Sequence, residues 1–214
     1  MPKIVDHDQR RLELVDATWR VIAERGLDAA TMRDIAAEAG FANGALKPYF
    51  ASKDRLLDFA FEHVFAQTNR RMESATAGLS GRAALRAYCH EILPLDEDRL
   101  AEARVAIAFW QKALRDPAKA ALHERSMELW RASMAGFLRD EEHEQASPDE
   151  HAAEGPDVRV GAIMDLVLGA QITATLSPAH HSPGQLVEQL DCLLDGILGD
   201  ARTQARTESA AGAA

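Results

Sequence analysis

Residues 31–50 read TMRDIAAEAGFANGALKPYF, and this stretch decides the fold. Thr31 precedes a short run of periodic apolar residues and stands three positions before Asp34, a spacing that predicts a capped helix N-terminus. Gly40 is predicted to end this helix, because glycine takes the positive φ that turns the chain. A second short helix is predicted at residues 43–50. Two short helices joined by a tight glycine turn predict a helix-turn-helix.

The rest of the chain is predicted to be helical as well. Alanine and leucine dominate, and apolar residues recur three and four positions apart without β-branched runs. A helix that ends at Gly26 completes a three-helix head. Further helices are predicted from Ser52 and over about residues 80–93, 96–115, 116–142, 158–176 and 184–200. The predicted fold class is therefore all-α, with a three-helix helix-turn-helix head, a larger helical domain and about nine helices.

Charge is distributed unevenly over the 214 residues, whose formal net charge is -10. Residues 1–60 hold nine basic and ten acidic side chains, whereas the remaining 154 residues hold fifteen and twenty-four. Because acidic surfaces repel DNA phosphates, this repulsion is expected from the second part of the chain and not from the head. The charge asymmetry predicts two regions with different roles.

Three domain limits are predicted. The head is expected at residues 1–53, the larger domain at residues 54–200 and a disordered tail at residues 201–214, where the residues are small and polar. Residues 143–157 are expected to form a polar loop. No signal-peptide pattern or apolar run of about 18–20 residues is evident, so we expect a cytoplasmic protein with no membrane partner.

No sequence pattern indicates an enzyme, a metal site or a cofactor. The eight histidines and two cysteines lack the spacing of a zinc site. A phosphate loop, a dinucleotide fingerprint and a nucleophile elbow are also missing from the sequence. We therefore predict no catalytic residue, no metal ligand and no cofactor.

The second helix of a helix-turn-helix lies in the major groove, with its N-terminal residues at the base edges. Ala42 and Gly44 are small enough for the backbone to come close to DNA. Asn43 is the best candidate for base reading, because its amide can both donate and accept a hydrogen bond. Pro48 lacks an N–H group and is expected to kink this helix near its end.

A longer motif surrounds this segment, with the following residues in order: Arg11, Ala17, Gly26, Thr31, Ile35, Ala36, Ala39, Gly40, Phe41, Gly44, Leu46, Tyr49, Phe50, Ser52, Lys53, Asp54, Leu56 and Leu57. The motif resembles the N-terminal domain of the tetracycline-repressor (TetR) family. The resemblance implies a DNA-binding head on an all-α ligand-binding domain. It also implies a homodimer that represses transcription until a small molecule binds.

Carried onto this sequence, the resemblance implies DNA contacts by Thr31 and Arg33 and phosphate contacts by Tyr49 and Lys53. Thr31 has a second interpretation as a helix cap alone. The complete predicted DNA-binding set is Thr31, Arg33, Ala42, Asn43, Gly44, Lys47, Tyr49 and Lys53. Two positions depart from the family pattern, which commonly has an aromatic residue in place of Lys47 and serine or threonine in place of Ala42.

A second, shorter resemblance covers residues 95–110 and is to the BetI-like branch of this family, some of whose members respond to choline-type quaternary ammonium compounds. The predicted effector is accordingly a cationic or hydrophobic small molecule. The candidate ligand-binding residues are Arg104, Phe109, Trp110, Gln111, Met127, Trp130, Met134 and Gln171. Aromatic and methionine stripes at helical spacing are also typical of plain core, so that alternative stays open.

The last two predicted helices are apolar over an unusually wide arc. A helix that is apolar nearly all round is buried on two sides, and a symmetric partner can cover the second side. We therefore expect a homodimer through these two helices, with a single large monomeric core as the alternative.

Three functions follow from these patterns. The first is a ligand-responsive transcriptional repressor that a small molecule releases from a palindromic double-stranded DNA operator. The second is a helical small-molecule-binding dimer whose head no longer reads DNA, an alternative suggested by Pro48 and the acidic total. The third, a small all-α enzyme, would need chemistry from one of the histidines.

Overall fold

The computed structural model describes residues 7–42, 44, 46–145 and 158–211, and its regular elements in these ranges are all helices. They are α1 (His7–Ala29), α2 (Met32–Glu38), α3 (Lys53–Thr76), α4 (Gly81–Ile92), α5 (Glu97–Ala113), α6 (Pro117–Gln145), α7 (Val158–Leu176), a 3₁₀ helix (Pro178–His180) and α8 (Pro183–Ala211). The predicted all-α class is confirmed.

Glycine ends α1 much as predicted. Gly26 has φ 74° and ψ 165°, which breaks the regular helix before its nominal end at Ala29. The N–H of Ala30 donates to the carbonyl of Gly26 at 3.3 Å and closes the turn into α2. The positive φ expected of a glycine at a helix stop is therefore present at this position.

Both ends of α2 are fixed by the residues that predicted them. The Thr31 hydroxyl accepts from the N–H of Asp34 at 3.2 Å, and the Asp34 carboxylate accepts from the N–H of Thr31 at 3.0 Å. This reciprocal arrangement is a capping box and satisfies two N–H groups at the start of the helix. At the other end Gly40 has φ 72°, so the predicted glycine turn is confirmed.

Residues 44 and 46–49 form turns in place of the helix predicted at residues 43–50. Gly44 has φ 90°, outside the right-handed helical region. Pro48 cannot donate the helical hydrogen bond that the carbonyl of Gly44 would accept. The N–H groups of Tyr49 and Phe50 both donate to the carbonyl of Leu46 at 2.9 Å. The segment therefore closes one tight loop, and residues 43 and 45 lie outside the described residues.

The chain divides into two compact units. The first contains the chain up to Arg70 together with Asp96–Ser126, and the second contains Arg71–Leu95 and the chain from Met127 onward. This grouping differs from the predicted limits at residues 53 and 54, because α3 is one continuous helix that starts at Lys53 and α5 belongs with the head. The core of the first unit combines head residues with α5, and it includes Leu14, Ile35, Phe50, Leu57, Phe61 and Phe109.

In the second unit, α4, α7 and α8 pack against one another. Arg86 binds Asp191 through two hydrogen bonds of 2.5 and 2.9 Å, and Arg82 binds Asp195 at 2.5 Å, so two ion pairs join α4 to α8. The Arg86 guanidinium, as hydrogen-bond donor, holds the pKa of Asp191 below its usual range.

Two helices are longer than predicted. Helix α6 continues to Gln145, into the predicted loop, and residues 146–157 lie outside the described residues. Helix α8 continues to Ala211, through most of the segment predicted as a disordered tail. The alanines and arginines of residues 201–211 are good helix formers, which explains how a polar segment continues the helix.

Helix α7 is long and apolar enough to cross a membrane by length and composition, with a mean hydropathy of 1.3 over its best window. The core helix of a soluble protein passes the same test. Here α7 buries Ile163, Met164 and Val167 inside its unit, as such a core helix does.

Candidate nucleic-acid interface

The predicted DNA-binding residues lie along one stretch of the first unit, from Thr31 to Lys53. Five of them are exposed or partly exposed at the surface, namely Thr31, Arg33, Ala42, Gly44 and Lys47. Tyr49 and Lys53 are half-buried. Asn43, the candidate for base reading, lies outside the described residues.

The hydroxyl of Thr31 is engaged in the cap of α2. In addition to the two capping hydrogen bonds, it donates to the Asp34 carboxylate at 2.5 Å. The hydrogen bonds from Thr31 are the main reason why the pKa of Asp34 is lowered, and Arg25, 3.6 Å away, also favours the charged carboxylate. The structure thus shows the cap interpretation of Thr31, on an exposed helix start.

Lys53 ties the beginning of α3 to the junction between α1 and α2. Its Nζ donates to the carbonyl of Ala30 at 2.9 Å. The position of the charge is therefore set by the backbone beside the capped start of α2.

Phe41 holds the loop that carries Tyr49. The two rings meet edge to face, with their centroids 6.1 Å apart, and the guanidinium of Arg10 lies 5.3 Å from the Phe41 ring centre. Phe50, the next residue after Tyr49, is 3% exposed and belongs to the core. Aromatic packing thus anchors a segment that has no regular helix.

The candidate ligand-binding residues are divided between the two units. Arg104, Phe109, Trp110 and Gln111 belong to the first unit, whereas Met127, Trp130, Met134 and Gln171 belong to the second. Within the first unit Phe109 is fully buried and stacks on Phe61 at 3.9 Å, as a core residue does. Within the second unit all four candidates are buried, and the Gln171 amide reaches the carbonyl of Ile92 at 3.5 Å. Their role in binding a ligand stays a prediction.

One feature of the first unit was missed by sequence reasoning. Arg11 lies over two aromatic rings, 5.2 Å from the centre of Phe50 and 4.4 Å from that of Phe59, and lines a cleft of about 300 Å³. Arg55 and Asp58 line the same cleft. Arg11 belongs to α1, whereas Arg55 and Asp58 belong to α3, so no local spacing could have predicted that Arg11 shares a cleft with them.

An ion pair within the first unit reaches this cleft. Lys119 of α6 donates to the carboxylate of Asp58, and its side chain is only 8% exposed. Lys112 of α5 approaches Asp54 at 3.4 Å. The first two turns of α3 are thus held by lysines from α5 and α6.

Comparisons with known proteins agree with this architecture. Residues 14–59 match the family model described as bacterial regulatory proteins, tetR family. Residues 81–199 match the model described as BetI-type transcriptional repressor, C-terminal.

Two curated relatives carry corresponding names. HTH-type transcriptional regulator PksA of Bacillus subtilis is 41% identical over 110 residues, which cover 51% of this chain and 54% of the relative. HTH-type transcriptional regulator BetI of Paraburkholderia phymatum is 30% identical over 145 residues, which cover 65% of this chain and 73% of the relative. The matched part therefore spans about half of the length of PksA and more of BetI.

A solved structure shows the same fold over nearly the whole chain. The crystal structure of a transcriptional regulator from Rhodococcus sp. Rha1 has a TM-score of 0.76 and 28% sequence identity, and covers 89% of this chain and 96% of its own. These relatives are named as regulators, which agrees with the prediction of a non-enzyme. The chain belongs to the TetR family of bacterial regulatory proteins, with a C-terminal region of the BetI type.

Proposed function

We propose that this protein is a ligand-responsive transcriptional repressor that binds a palindromic double-stranded DNA operator as a homodimer in the cytoplasm. The observation that carries the proposal is the head itself. A capped α2, the glycine turn and the exposed cations Arg33 and Lys47 follow one another on the surface of the head, and Lys53 is fixed beside the start of α2. Positive side chains on such a surface neutralise DNA phosphates, and the neighbouring residues read base edges.

The dimer is proposed to form through α7 and α8. Ile172 is 41% exposed and Leu176 is 75% exposed, although the opposite side of α7 is buried in its unit. On α8, Cys192 and Gly196 are exposed one turn apart and allow another helix to approach closely. A two-fold axis through this face would bury the apolar side chains and would present two heads to a palindrome.

The effector is proposed to be a cationic or hydrophobic small molecule bound by the C-terminal region. The net negative charge of the chain outside the head suits a cation, and the buried aromatic and methionine side chains suit an apolar ligand. The effector would act by binding more tightly to the state with low DNA affinity. The resulting coupling between the two sites is reciprocal, so operator DNA would weaken effector binding to the same degree.

Selection from random double-stranded DNA tests the proposed repressor. The full chain should enrich a palindromic sequence at low salt, and Lys47→Gln should weaken binding to that sequence. Enrichment of no palindrome would overturn the proposal in favour of a dimer that does not read DNA. Glu128→Gln, a substitution of an exposed residue in the second unit, serves as the control that should leave DNA binding unchanged.

Cross-linking through Cys192 tests the dimer. Cys192 is exposed, whereas burial raises the pKa of Cys89 to about 12 and keeps that thiol protonated. Because the thiolate is the nucleophile, a short bis-maleimide should join two chains through Cys192 only. The variant Cys192→Ser should stay uncross-linked. A monomeric native mass at micromolar protein would contradict the dimer.

A further inference from the structure

The cleft beside Tyr49 has properties that the predicted DNA-binding residues do not explain. Its volume is about 300 Å³, and its walls come from α1, the loop before α3 and the first turns of α3. It lies entirely within the first unit, which also contains residues 14–59, the part of the chain that matches the tetR-family model. A cavity of this size is far larger than a single water molecule needs.

Arg11 is the polar group that points to a ligand. Its guanidinium carbon lies 5.2 Å from the ring centre of Phe50 and 4.4 Å from that of Phe59, so both aromatic rings contact the same charged group. Its Nε is buried and has no hydrogen-bond acceptor among the described residues. Leaving a charged donor unsatisfied is costly, so a shift of the Arg11 side chain toward an acceptor in the cleft would be favourable.

The charge of the cleft favours an anion. Arg55 is exposed on the same wall, and it lies 3.6 Å from the carboxylate of Asp58. That carboxylate is already bound by the buried ammonium of Lys119. Since Lys119 offsets Asp58, Arg11 and Arg55 face only one further acid, Glu62, among the residues that line the cleft. The local balance is three positive groups against two negative groups.

We propose that this cleft binds a phosphate of the DNA backbone, with Arg11 and Arg55 donating hydrogen bonds to its oxygens. Arginine presents a planar fork of donors that matches two phosphate oxygens. Tyr49, predicted to contact a phosphate, lines the same cleft, so one strand of DNA could engage all three side chains. The inference rests on the proposed operator binding and adds two residues to it. Lys119 acts as a positioning residue, because its ammonium group offsets the negative charge of Asp58, which would otherwise repel the phosphate.

The salt dependence of DNA binding tests this assignment. On the DNA that the wild-type chain selects, the slope of log K against log salt should fall in magnitude by about 0.9 for each phosphate contact removed. Because both arginines are proposed to bind one phosphate, Arg55→Gln and Arg11→Met should each lower the slope, and the double variant should lower it by about 0.9. Arg125→Gln removes an exposed arginine of the same unit outside the cleft and should leave the slope unchanged. Glu62→Gln should tighten binding at low salt.

Each outcome decides the proposal. Arg55 is exposed, so Arg55→Gln remains informative if Arg11→Met fails to fold. A wild-type slope in Arg55→Gln overturns the cleft as a DNA site and leaves operator binding intact. The cleft could instead bind free phosphate. In that case inorganic phosphate should bind saturably without DNA, and Arg55→Gln should abolish this binding while the salt slope of DNA binding stays constant. This result would also overturn the proposed DNA contact. Selection of no DNA by the wild type overturns both proposals.

Discussion

Helix α2 and the loop after it are neighbouring segments of similar length, but only the first forms a helix. Met32–Glu38 is a regular helix, whereas residues 44 and 46–49 form turns. The first segment has a capping box at its start and a glycine with positive φ shortly after its end. The second has a glycine with positive φ near its start and a proline before its end. In segments this short, the residues at the ends decide whether a helix forms, because few internal hydrogen bonds are available to compensate.

Packing is where the two segments are alike. Ile35 of α2 is 1% exposed and Leu46 of the loop is 2% exposed, and both belong to the same core. An irregular backbone can therefore be anchored as firmly as a helix.

The largest effect is expected from removing either anchor. Ile35→Ala and Leu46→Ala should each lower the free energy of unfolding by about 2–5 kcal/mol, because each leaves a cavity in the shared core. Urea unfolding of the full chain, followed by circular dichroism, measures this loss. Leu114→Ala, at a position that is 86% exposed, should change stability by less than about 0.5 kcal/mol. A loss at Leu46 as small as that of this control would show that the loop is not anchored.

The next largest loss of stability is expected from a substitution in the turn that separates the two segments. Gly40 has φ 72°, and apart from its chain neighbours no atom of the described residues lies within 4 Å of the position that an added methyl group would take, so the cost of Gly40→Ala is expected from the backbone. A left-handed conformation costs an L-residue about 1–2 kcal/mol, and the same loss of stability is expected. Gly136→Ala, inside α6, is the matched control with the opposite sign, since alanine is favoured over glycine within a helix. Equal effects at both glycines would contradict the role of the turn.

The cap of α2 should contribute less than the turn. Thr31→Ala removes the hydroxyl that accepts from Asp34 and should cost about 1 kcal/mol of stability. Thr31→Ser keeps the hydroxyl and should stay close to the wild type. If serine were as damaging as alanine, packing of the threonine methyl group would explain the loss better than capping. Chemical denaturation of the three chains at neutral pH separates these outcomes.

The same cap should carry a dependence on pH. The pKa of Asp34 is lowered in the folded state, chiefly by its hydrogen bonds with Thr31. A carboxyl with a depressed folded pKa stabilises the fold above its unfolded pKa, and this contribution is lost as the pH falls through the folded value. The difference between wild type and Asp34→Asn should therefore shrink in acid. A difference that stays constant from neutral pH to about pH 2, well below the usual Asp pKa, would contradict this mechanism.

Local signals predicted much of this fold. Gly26, Gly40, the Thr31 cap and the Ser52 cap of α3 all depend on residues a few positions apart, and the structure contains each of them. Asp116, before Pro117, also accepts from the first N–H groups of α6.

The missed features depend on distant parts of the chain or on competing local signals. Helix α5 enters the core of the first unit through Phe109, and Arg11 meets Phe59 across the head. Neither proximity is encoded in a short spacing. The loop at Gly44 has a different cause, since its apolar pattern suits a helix while its glycine and proline oppose one. The DNA-binding set was assigned by motif and stays a prediction, whereas the cleft could be found only in the packed structure.

The smallest change in stability is expected from a substitution of Pro48, although this substitution could change the backbone conformation of the loop. Pro48→Ala restores an N–H that can donate to the carbonyl of Gly44, and a new hydrogen bond contributes about 0.5–1.5 kcal/mol. The same substitution raises the conformational entropy of the unfolded chain, which lowers the free energy of unfolding by about 0.4–1 kcal/mol. The two effects nearly cancel, so the free energy of unfolding should change little while helical content rises over residues 44–50. Backbone chemical shifts of this segment measure the rise, with Pro183→Ala at the start of α8 as the control that removes a proline elsewhere. Unchanged shifts at Leu46 and Lys47 would show that the positive φ of Gly44, and not Pro48, keeps the segment from forming a helix.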